Sequence, residues 1–162
     1  MVLEAMPLRS LFAGVALVFT CALLAGCGRS SSSRLSASEY RARLATLGKE
    51  ADKVQGDVEK ALTAKSVSEI EARLKASATA DDRLGDEVSA LKPPKDAEAA
   101  NAELARGEHD TAAAARAALP KLEKFTSVQA ALSFLNSINP RGGRELDHAL
   151  TQLRKLGYAK GS

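Results

Sequence analysis

The sequence predicts an all-α protein: an antiparallel helical bundle of about four main helices, the last one broken near Asn139. Apolar residues recur every three or four positions over long windows, which is the period of one helix face. Prolines and short polar segments divide those windows into lengths suited to a bundle. No window alternates apolar and polar residues over the length a strand needs.

The first helix is traced by Tyr40, Leu44, Leu47, Ala51, Val54, Val58 and Leu62, a stripe of about 25 residues. Ser36 with Glu39 three residues on is a capping box at its start. A second helix starts near Ser66, with Glu69 in the reciprocal role, and carries Val67, Ile70, Leu74, Leu84, Val88 and Leu91. The middle of that stripe, Ser77, Ala78 and Asp81, is small or polar. Pro93 and Pro94 stop it, since neither donates a backbone hydrogen bond. The short connection Thr63 to Lys65 makes the pair an antiparallel hairpin. A long coiled coil is the weaker alternative, because each stripe ends after a few heptads.

Asp96 is placed to cap a third helix, from Ala97 to about Leu119, that is largely alanine. Alanine has the highest helix propensity but buries little area, and Gly107 costs about 1 kcal/mol relative to alanine. This helix is therefore expected to be the least firmly packed, with Pro120 kinking it or starting a continuation to Phe125. Thr126 with Gln129 caps the next, bearing Val128, Leu132, Leu135 and Ile138. Asn139-Pro140 fits an N-cap followed by proline, and Leu146, Leu150 and Leu153 share one face of the final helix. Gly157 suits the left-handed C-cap position, with Tyr158 folding back towards Leu153. With no tryptophan and Tyr40, Phe125, Phe134 and Tyr158 as the aromatics beyond residue 26, the core is thin, and no large enclosed pocket is expected.

The first 26 residues have a different layout. Arg9 is followed by the uncharged run Leu11 to Leu24, then by Ala25-Gly26 directly before Cys27. This run spans only about 21 Å as a helix, short of the roughly 30 Å hydrocarbon core, so a cleaved export signal is expected rather than a permanent span. Leu24-Ala25-Gly26-Cys27 resembles the lipobox of bacterial lipoproteins. That resemblance implies cleavage before Cys27, a diacylglyceryl group on its thiol and often an acylated amino terminus. Cys21, preceded by Phe19 and Thr20, fits filler of the apolar run, and its removal leaves Cys27 as the sole thiol, so no internal disulfide forms. Two or three acyl chains hold a protein stably on a membrane where one does not.

The chain thus divides into a signal peptide, 1–26, a lipidated serine-rich tether, 27–35, and a helical domain, 36–162. Gly28 to Leu35 reach about 28 Å at most, and Arg29 and Arg34 suit anionic headgroups. The whole exported part resembles the small alanine- and leucine-rich helical lipoproteins of high-GC bacteria, down to the paired prolines and the closing Leu153 to Tyr158. That likeness of pattern implies no site residues.

Few residues suggest chemistry. Glu145 and His148 stand one helical turn apart, as in di-metal carboxylate bundles, but the other histidine, His109, has Arg106 where the second glutamate belongs. They are expected to be surface groups, with no metal bound. Asp81, Asp82, Asp86 and Glu87 lack the glycine and ligand spacing of a calcium loop and fit a solvated face, although Asp81 near the seam can fix helix register. Glu108, His109 and Asp110 are consecutive and point to different sides of a helix, which argues against a triad. No catalytic residue and no cofactor are expected, and the chain does not have the pattern of an enzyme.

The formal net charge is +3. The segments up to Lys65 and beyond Leu119 are net basic and those between are net acidic, a weak polarity that suits orientation towards anionic lipids or wall polymers. Glu69/Arg73 and Glu71/Lys75 have the spacing of helical ion pairs. No concentrated basic-aromatic face suggests nucleic acid. The expectation is an exported lipoprotein held on the cell membrane outside the cytoplasm, a non-enzymatic binding or scaffolding module with an envelope protein as partner. A small-ligand carrier using a groove beside the third helix is the alternative.

Overall fold

The computed structural model describes residues 34–138 and 141–159, and the described residues are all-helical. Helix α1 spans Ala37–Ala61, α2 Val67–Ala90, α3 Glu98–Leu122, α4 Val128–Ser137 and α5 Arg141–Lys155, with a 3-10 turn at Lys95–Ala97 before α3.

The start of α1 is the capping box its sequence predicts. Ser36 Oγ accepts from the Glu39 backbone N–H at 3.3 Å, and the Glu39 carboxylate accepts from the Ser36 N–H at 2.8 Å. At α2 the box is incomplete: Ser66 Oγ accepts from Glu69 N–H at 3.1 Å, but the Glu69 carboxylate accepts from the Lys65 N–H instead. Glu69 also receives Arg73 at 2.7 Å, the predicted pair one turn on. The end of α5 follows the sequence closely. Gly157 has φ +75°, and Gly157 and Tyr158 N–H donate to the Arg154 and Leu153 carbonyls at 3.0 and 2.8 Å.

Two start signals differ from expectation. After Pro94 the chain makes the 3-10 turn, so the N-cap of α3 is Ala97, without a side-chain bond, and the Asp96 carboxylate accepts from the Tyr158 hydroxyl at 3.0 Å. The cap of α4 is Ser127, which accepts from Ala130 N–H, in place of Thr126. α3 runs through Pro120 to Leu122. The expected N-cap Asn139 and Pro140 lie outside the described residues; α4 and α5 are separate helices flanking them.

The alanine-rich helix, expected to be the loosest, is the centre of the bundle. α3 lies against α2 on one side and α5 on the other, while α1 covers α2. Close approach supplies what side-chain area does not. Ala100, Ala105, Ala112 and Ala118 are all buried. A Cβ on Gly107 would come within 2.8 Å of Leu146, and one on Gly142 would collide with the Gly107 carbonyl and Thr111, so α3 and α5 touch backbone to backbone.

Two apolar clusters result. The larger gathers Tyr40, Leu47, Leu84, Val88, Leu104, Leu153 and Tyr158 between α1, α2, α3 and α5. The smaller lies at the other end, where Ala64, Ile70, Leu122 and Ala131 join the α1–α2 turn to α4. Tyr40 is fully buried, meets Tyr158 edge-on at 5.2 Å and donates its hydroxyl to Asn101 Oδ1 at 3.0 Å. Asn101 in turn donates to the Val88 carbonyl at 3.0 Å, so the buried polar atoms of this bridge are paired.

Candidate functional site

Cys27, the one residue to which the sequence assigns a chemical role, lies outside the described residues. The structure does place the point at which the chain leading from it meets the bundle. Leu35 N–H donates to the Lys92 carbonyl at 2.7 Å; the Arg34 guanidinium donates to the Pro93 carbonyl at 3.1 Å and pairs with Glu98. The last two residues of the stretch assigned to the tether are thus fastened across the connection between α2 and α3. Among the described residues no helix is long and apolar enough to cross a membrane.

The densest polar arrangement inside the bundle is the seam between α2 and α3. The acidic run expected on a solvated face divides across it. Asp81 is 6 % exposed and accepts from Ser77 Oγ at 3.2 Å. Burial pushes its carboxyl up to about 6, against the opposing Ser77 hydrogen bond. Glu108, one of three consecutive polar residues on α3, meets the same seam, and burial followed by the nearby Asp81 charge pushes it up to about 7. Asp82 sits at the edge, paired with Arg116 and 3.2 Å from His109 Nδ1; the Arg116 hydrogen bond holds its carboxyl below the usual range. Asp86 is exposed, with His109 Nε2 at 3.7 Å. Glu87 pairs with Arg83, which also reaches Glu50 on α1.

Glu108, His109 and Asp110 do diverge: Glu108 and His109 meet α2, and Asp110 lies 3.8 Å from Arg141 on α5. Glu145 and His148 also separate. His148 Nδ1 lies 2.8 Å from the Glu103 carboxylate on α3, and its side chain is mostly exposed, as expected of a surface group. Glu145 corrects the expectation: its side chain is only 14 % exposed, one oxygen accepts from Arg141 at 2.9 Å, and the other is buried without a hydrogen-bond partner. The close crossing at Gly142 draws that turn of α5 against α3. Among the described residues no group of three or more histidines, cysteines, aspartates or glutamates is placed to hold a metal ion.

A shallow open groove of about 330 Å³ lies between α1 and α2, lined by Asp57, Glu69, Ala72, Arg73 and Ala76. It is not beside α3, whose flanks α2 and α5 occupy. Chemically the seam can hold and release protons near neutral pH. Its one hydroxyl, Ser77, donates to a carboxyl, with no histidine hydrogen-bonded to it. Asn101 escaped notice in the sequence, and Glu108 was read there only as one of three diverging residues, yet Asn101, Ala105, Glu108 and Ala112 are spaced as one face of α3.

Comparison with known protein families, with curated proteins and with solved structures finds no match to this chain.

Proposed function

We propose that this protein is a membrane-anchored lipoprotein of a bacterial cell envelope, whose helical bundle holds a binding or scaffolding surface for an envelope protein at a fixed short distance from the bilayer. The observation that carries the reading is Leu24-Ala25-Gly26-Cys27 at the end of an uncharged run too short to span a membrane. The engaged Arg34 and Leu35 support it, because they leave only Cys27 to Ser33, at most about 25 Å of chain, between the anchor and the bundle. Lipidation also accounts for a sole cysteine in an oxidising compartment.

The bundle acts as a body for recognition rather than for chemistry. One of its buried polar pairs ties helix to helix, Tyr40 of α1 to Asn101 of α3, and another, Ser77 with Asp81, is satisfied within α2. Fractionation of a bacterial host expressing the wild type or Cys27→Ala tests the reading. The wild type is expected in the membrane fraction, resistant to salt and extracted by detergent. Equal membrane retention of Cys27→Ala would overturn the anchor.

A further inference from the structure

Leu62 and Leu156 are the large apolar side chains most exposed to solvent among the described residues, at 42 % and 40 %. They mark opposite ends of the bundle. Leu62 follows α1, whose 25 residues rise about 37 Å, at the end shared by the α1–α2 turn and α4. Leu156 follows α5 at the end where the chain enters, next to Tyr158, which joins Asp96 and Tyr40.

The entry end collects charge from segments far apart in sequence. Arg41 in α1, Lys92 after α2, Lys95 in the 3-10 turn and Lys155 closing α5 are all exposed there. The acids at this end are engaged: Glu39 in the cap of α1, Asp96 by the Tyr158 hydroxyl, and Glu98 by Arg34. An exposed leucine ringed by exposed cations is the composition of a surface that settles into the headgroups of an anionic bilayer, the leucine entering and the ammonium groups meeting phosphate.

From these observations we infer that the entry end is a lipid-docking face: the bundle stands end-on against an anionic bilayer, with Lys92, Lys95, Lys155 and Leu156 at the headgroups and Leu62 and α4 about 37 Å farther out. This rests on the lipoprotein reading, which supplies the bilayer. Charge complementarity and the place where the tether enters select lipid as the occupant. The tether keeps this end within about 25 Å of the surface, so even weak contacts are populated at high effective concentration. The far end, with the smaller apolar cluster beneath it, is then the part presented to a protein partner.

The chain has no tryptophan, so single-tryptophan variants report their own position. L156W and L62W are prepared as full lipidated chains in vesicles of phosphatidylcholine and phosphatidylglycerol that carry a headgroup-bound nitroxide, and are isolated by flotation. The expected result is strong quenching of L156W and little of L62W. Quenching of L156W should weaken several-fold in 0.5 M salt or in the K92Q/K95Q/K155Q background while the protein still floats, since each basic residue near the surface contributes about fivefold to binding. Floated chains with both positions quenched equally, or L62W quenched more, would overturn the end-on arrangement. Floated but unquenched L156W with blue-shifted emission would mean that a second copy covers this face, and would overturn lipid docking. A chain that does not float overturns the anchor itself, and the docking inference falls with it.

Discussion

Asp81 offers the sharpest test of the bundle's energetics. Its carboxyl is 6 % exposed and pushed up to about 6, while the unfolded chain has the ordinary aspartate value near 3.8. An acid whose folded value is raised binds protons more firmly when folded, so stability falls as pH rises through the window between the two values and just beyond. At pH 5 the folded carboxyl is still protonated and the unfolded one is ionised; the difference is roughly tenfold, or about 1.4 kcal/mol, and it is gone at pH 8. Glu108, pushed up to about 7 in the same seam, adds a contribution of the same sign that extends to higher pH. Urea unfolding followed by circular dichroism at pH 5, 6, 7 and 8 should therefore find the wild type less stable at pH 8 than at pH 5. In Asp81→Asn that loss should shrink by at least about 1.4 kcal/mol, because the amide does not ionise and the neighbouring Glu108 no longer faces a charge. At pH 8 the variant should be the more stable, by no more than the full penalty of about 3 kcal/mol. An unchanged pH dependence in Asp81→Asn would refute the assignment of a buried, proton-holding carboxyl at this seam.

Other positions are predicted with opposite signs. Gly142→Ala drives a methyl into the Gly107 carbonyl and Thr111 and should cost at least about 1–3 kcal/mol, whereas Gly48→Ala, with nothing within 4 Å, should gain up to about 1 kcal/mol; thermal melts of both variants check the pair. Tyr40→Phe leaves Asn101 Oδ1 buried without its donor and should cost about 1–3 kcal/mol by urea unfolding. Leu122→Ala, at a fully buried site in the smaller cluster, should cost about 2–5 kcal/mol by the same assay.

Features set by local chemistry were legible in the sequence: the box at Ser36, the proline stop after α2 and the left-handed Gly157 all follow from side chains a few residues apart. Most of what failed depended on a distant neighbour; the shift of the α4 cap from Thr126 to Ser127 and the turn of Glu69 to the Lys65 N–H are local exceptions. Alanine content predicted a loose α3 because area was counted on one helix alone. The actual gain comes from Gly107 meeting Gly142 on α5, which lets two backbones touch. Asp96 has the chemistry of a cap, but the 3-10 turn after Pro94 moves it away from α3 and Tyr158 claims it. Glu145 was assigned to the surface on polarity, but its side chain is only 14 % exposed, one turn of α5 beyond the close crossing at Gly142. Of the polar seam, Asp81 was visible as a polar residue on an apolar stripe, whereas its partner Glu108 required knowing which face of α3 meets α2. Nothing in helical periodicity bears on Cys27; its reading rests on the order of a few residues before it.

The measurement that bears most directly on the central claim is the intact mass of the chain purified from bacterial membranes in detergent. A polypeptide starting at Cys27 and carrying the added mass of two or three acyl chains is the predicted result. A mass that retains Met1 to Gly26, or an unmodified Cys27, would contradict it.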